Sequence, residues 1–198
     1  MNREKKFELI ANEIRLWSSE ILEVSSPAFG GMPPCPYAQK TWQNNQFAIH
    51  FCDNLDVIVE LKAILNPQDL VTHICVWLNP EETSVVQFDG WIEGQNKNHF
   101  GIWMMGFHPD ADDNEMTDEF EGLVEDDYGL ILVQSLDHLV TASNILGRTK
   151  YYKQFPPDYL LDIQKRKEAH DAWKSKTYGQ IQSEETLFTD DEEEIRLQ

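Results

Sequence analysis

Cys35, His108 and the carboxylates that follow His108 are the side chains whose types and spacing could do chemistry. Asp110, Asp112, Asn114, Asp118 and Glu121 fall at positions 1, 3, 5, 9 and 12 of a twelve-residue frame. Met116 would add a backbone carbonyl at position 7. This is the oxygen spacing of an EF-hand loop, in which a hard cation such as calcium or magnesium is wrapped by about six to eight oxygens. Glu115 stands where the sharp turn of such a loop wants glycine, and Thr117 where an aliphatic residue is usual. The competing reading is a solvated acidic loop that binds no metal.

Cys35 precedes Pro36 at the expected start of a short helix. A helix N-terminus stabilises a thiolate and lowers the thiol pKa, which would make Cys35 a nucleophile. Its segment Cys35-Pro36-Tyr37-Ala38 resembles the CPYC segment of glutaredoxins with the second cysteine lost. His108 lies between an expected strand and the acidic loop, where nearby carboxylates would favour its charged form and equip it for acid/base work. The bland alternatives are a proline-rich turn at Cys35 and a histidine bonded to loop backbone at His108.

Other machinery is missing from the 198 residues. There is no GxSxG, no phosphate-binding GxxxxGK[ST], no GxGxxG and no HExxH. Three cysteines without a CxxC do not support a cysteine zinc site. The net charge is −19, which argues against a nucleic-acid partner, since like charges repel. No run of about 18 apolar residues is present to span a membrane, and MNREKKFELIANEI does not read as a secretory signal. A reducing cytoplasm is the expected setting.

The charge is concentrated. Residues 110–127 hold ten acids and no base, and residues 184–198 hold seven acids and one base, Arg196. Residues 148–176 carry eight bases against four acids, so an expected helix there is basic and could still touch a phosphate locally. Outside the two acidic segments the chain is nearly balanced, at −3.

The elements that must position these residues follow from periodicity. An amphipathic helix is expected over 3–24, with Phe7, Ile10, Ile14, Trp17 and Ile21 on one side. Strands are expected at 46–52, 71–78 and 99–107. Helices are expected from Asp53 to Leu65, from Asn79-Pro80 to about Gly94, and over 128–146. A basic helix follows at 158–176. The fold class is therefore α/β: one domain over 1–178 with a three-stranded βαβαβ sheet, parallel or mixed, packed by helices. The acidic tail, 179–198, is expected to be disordered. Ligands of such sheets prefer the carboxyl ends of the strands, here Cys52-Asp53-Asn54 and Phe107-His108-Pro109-Asp110.

With these segments in order, the chain resembles an uncharacterised bacterial family with an LCPFA-type and a later FHPDY-type segment. The matching residues are Cys35-Pro36-Tyr37-Ala38 and Phe107-His108-Pro109-Asp110, within a layout covering about residues 10–170. The family's Asn-Arg-Ser-Pro stretch is replaced by the acidic loop. A weaker similarity is to hypothetical proteins of tailed phages. The resemblance implies a fold and a pocket between Cys35 and His108, but no reaction. The function expected is a non-enzymatic interaction module whose acidic loop and tail dock a basic protein surface. The alternatives are a small enzyme using Cys35 and His108, or a metal-binding protein through residues 110–121. Oligomeric state is left open.

Overall fold

The computed structural model describes residues 2–98, 100–112, 116–117 and 127–195, with side chains as far as Lys176. Helix α1 (Arg3–Trp17) starts at Asn2, whose side chain accepts the Lys5 N–H, and buries Ile10 and Ile14. It runs on through a wider π-type turn at Ser18–Leu22. After a loop come α2 (Ala38–Gln43), β1 (Phe47–Cys52), α3 (Asp56–Ile64), β2 (Thr72–Trp77), α4 (Val85–Lys97) and β3 (Ile102–Phe107). Then follow β4 (Gly129–Ser135), α5 (Leu136–Leu146) and α6 (Pro157–Ile195).

The sheet has four strands in the order β1-β2-β4-β3. The three expected strands are present, and β4 is the correction. It pairs antiparallel with both β2 and β3, whereas β1 and β2 are parallel, so the sheet is mixed. The helical spacing of Leu130, Val133, Leu136, Leu139 and Val140 predicts a helix that starts at 128, whereas 129–135 is strand. In the fold both faces of β4 are covered. Ile131 and Val133 enter one core layer; Leu130 and Leu132 pack against the other. A strand apolar on both faces shows no alternation, so the helical spacing was a coincidence of a continuous run. The Ser135 hydroxyl accepts the His138 N–H and starts α5 directly where the strand stops.

Helix starts also moved. Asn54, not Asp53, caps α3, accepting N–H groups of Asp56 and Val57 at 3.1 and 3.3 Å. Asp53 instead pairs with Arg3 at 2.8 Å. Pro80–Glu82 forms only a single 3-10 turn, and α4 begins at Ser84 with a reciprocal cap to Gln87. The backbone of α6 runs on past Gly179 to Ile195. A lone glycine costs a helix only about 1 kcal/mol, and no proline follows it.

One core layer holds Cys52, Ile58, Trp77, Phe88, Met104, Ile131 and Val133, with α3 and α4 over it. The other joins Ile10 and Ile14 of α1 to Ile74 and Val76. A third, smaller cluster gathers Phe29, Met116, Leu146 and Tyr151. It depends on Gly30, whose φ is +67° and where a Cβ would lie 2.5 Å from the Lys150 carbonyl oxygen. No helix among the described residues is long and apolar enough to cross a membrane.

Candidate functional site

Because β4 is antiparallel to both its neighbours, β1, β2 and β3 point the same way. Their carboxyl ends, with the start of β4, form one edge. An open cleft of about 460 Å³ lies there, lined by Lys6, Asn79, Glu81, Asp110 and Asp127 between Leu78, Pro80 and Pro109. Lys6 comes from the first turns of α1. Asn79 and Glu81 follow β2, and the Asn79 amide donates to the Asp53 carbonyl at 2.8 Å, tying two strand ends together.

Phe107 and Leu130 are ladder partners, so the chain leaves β3 and re-enters β4 at the same place. Both ends of the acidic segment, Asp110 and Asp127, therefore line the cleft. Of the five residues in the metal frame, Asp110 faces the cleft and Asp112 is exposed; Asn114, Asp118 and Glu121 lie outside the described residues. The frame is flanked by strands rather than by the two helices of an EF-hand. Met116 is buried in the cluster of Phe29, Leu146 and Tyr151. Among the described residues no group of three His, Cys, Asp or Glu side chains is placed to hold a metal ion.

His108 is 6% exposed. Its Nδ1 lies 3.1 Å from the Asp110 N–H and accepts from it. That assigns the proton to Nε2, which donates to the Thr83 carbonyl at 2.8 Å, with the Pro80 carbonyl at 3.3 Å. The ring also meets Trp77 and Phe88 edge-on, with centroids 6.0 and 5.5 Å away. Both nitrogens are thus engaged with backbone. The residue pins the start of the acidic segment onto the turn after β2.

Cys35 differs from its expected role. Helix α2 begins at Ala38 with no side-chain cap, so Cys35 sits in the turn before it rather than in its first turn. Its N–H donates to Leu22 and its carbonyl accepts from Ala38. Burial pushes the thiol pKa up, outweighing the backbone N–H groups of Tyr37 and Ala38; the Glu23 carboxylate adds to the rise. This is opposite to the depressed value a thiolate nucleophile needs. Tyr151, whose hydroxyl donates to the Pro34 carbonyl, is the aromatic neighbour of this turn. The contacts of Cys35 and those of His108 have no residue in common, and none joins the two.

One cluster escaped the sequence reading. His50-x-Cys52 and His73-x-Cys75 repeat a spacing on adjacent parallel strands, and the register sets His50 beside Cys75. The His50 Nε2 and His73 Nδ1 lie 2.9 Å apart, so one ring donates and the other accepts. Burial lowers the pKa of both, and His50 further opposes charge on His73, where Asp69 partly offsets the fall. The unfolded chain protonates these rings near pH about 6.5, the folded chain only at lower pH. Stability from this pair is therefore complete above that value and is lost as pH falls through it. Melting temperature should drop between about pH 7.5 and 5.5, and the double variant His50→Gln, His73→Gln should flatten that slope. Equal slopes for variant and parent would show that the pair does not titrate this way.

Fold and edge together define a small mixed α/β protein with an acidic carboxyl edge. No family model matches the chain, and neither a curated protein nor a solved structure matches it.

Proposed function

We propose that this chain is a non-enzymatic interaction module that docks a basic protein surface on its acidic carboxyl edge. The observation that carries this reading is the convergence of Asp110 and Asp127 on one cleft, which anchors both ends of a segment with ten acids. A dense charge at one edge of a nearly neutral body steers an oppositely charged partner and orients it on arrival. The backbone hydrogen bonds of His108 hold this edge in place.

The test is capture of partners by the full chain at low and high salt. A basic partner should be retained in low salt and released near 1 M salt, where screening shortens the Debye length to about 3 Å. The variant Asp110→Asn, Asp112→Asn, Asp127→Asn should slow association by about tenfold with little effect on dissociation. An empty capture at low salt, or a partner indifferent to both changes, overturns the proposal.

A further inference from the structure

Strand β1 is the end of the sheet. The Thr72 N–H donates to the Gln46 carbonyl and the Leu78 N–H to the Cys52 carbonyl, so the even-numbered residues face β2. By alternation, the backbone groups of Phe47, Ile49 and Phe51 point outward. Among the described residues no other segment hydrogen-bonds to them.

The opposite edge is treated differently. Asn96 of α4 is buried beside β3; its Oδ1 accepts the Met104 N–H and its Nδ2 donates to the Met104 carbonyl, both at 2.9 Å. The centre of that edge is plugged. Strand β1 has no plug, and its sequence FAIHFC contains no lysine, proline or other device that blunts an edge. Beside it runs an open groove of about 470 Å³ between β1 and α3, where Val57 is 43% and Ile64 80% exposed.

We propose that two copies of this chain pair antiparallel through β1, about a two-fold axis at Ile49, to form a continuous eight-stranded sheet. The inference is independent of the basic partner proposed above. Ile49 of one copy faces Ile49 of the other, and Phe47 faces Phe51, the kind of aromatic cross-strand pair that stabilises sheets. On the other face His50 meets Ala48, large against small. Charge selects a second copy as the occupant. No carboxylate, lysine or arginine lies within β1, its one histidine, His50, is held uncharged by burial and its bond to His73, and Asp53 at one end is already paired with Arg3. That end meets the uncharged Asn44, Asn45 and Gln46 of the other copy. The two-fold also sends the acidic carboxyl edges to opposite ends of the joined sheet, so Glu81, Asp110 and Asp127 of one copy do not meet those of the other.

Sedimentation equilibrium of the full chain at about 10–300 µM in physiological salt should give twice the chain mass of 23.0 kDa. In the dimer, hydrogen exchange at the amides of Phe47, Ile49 and Phe51 should slow by about tenfold or more. Ala48→Lys places a charge on the edge and should yield a monomer with unchanged circular dichroism. Should that variant fail to fold, Ile64→Glu, on an exposed position of α3, is expected to weaken the dimer by about tenfold. A monomer throughout the range overturns the inference. So does a dimer whose three outward amides exchange freely, as pairing with an unrelated extended peptide or through another surface would produce.

Discussion

Replacing His108 by phenylalanine is expected to destabilise the fold by about 2–4 kcal/mol. The phenyl ring keeps the edge contacts to Trp77 and Phe88, so the loss is not a packing loss. What disappears is the pair of bonds that the imidazole makes in opposite directions. The Thr83 carbonyl loses its donor and the Asp110 N–H loses its acceptor. Losing such a bond at a half-buried position costs about 1–2 kcal/mol, and two are lost here. Denaturant unfolding should show a lower midpoint with an unchanged slope. The same variant should release Asp110 from its place and weaken capture of a basic partner. A variant as stable as the parent would show that His108 is not the anchor of this edge.

The second large effect is expected at Asn96. Leucine fills nearly the same volume, but it removes both hydrogen bonds to Met104 and leaves that residue's N–H and carbonyl unpaired at a buried position. The cost should be about 2–5 kcal/mol, since each group brings its own desolvation penalty. A second consequence separates Asn96 from an ordinary core residue. With the hydrogen-bonded tie between α4 and the centre of β3 gone, outward opening of α4 bares the β3 edge, and both ends of the sheet become available for pairing. Light scattering should then rise with concentration well below the unfolding transition, because open-ended pairing makes fibres rather than a closed dimer. Asn96→Asp keeps the acceptor for the Met104 N–H and should fall between the two. A soluble leucine variant with parental stability would remove the argument that the two edges are managed differently.

Much of the frame was legible in the chain. Strands β1 and β2 stood out as short apolar runs between turn residues, and the assignment of Phe47, Ile49 and Phe51 to one face of β1 agrees with the core they join. The position of the acids after His108 pointed to the edge where the cleft lies. Strand β4 was not legible, because a strand covered on both faces and a helix front present the same continuous apolar run. The lowered thiol pKa expected at Cys35 failed for a local reason. The helix begins two residues later than Pro36 suggested, and burial outweighs the backbone N–H groups.

By itself the sequence determined where charge and apolar surface are concentrated, and hence that a neutral α/β body carries an acidic segment at a strand end. Only the tertiary structure decided what the individual polar groups do. His108 bonds to Thr83, 25 residues away, and His50 to His73, 23 residues away. Asn96 closes an edge whose place in the sheet depends on β4 inserting between β2 and β3. A buried polar group takes its role from the partners that strand order and register bring to it, and neither is written in local spacing.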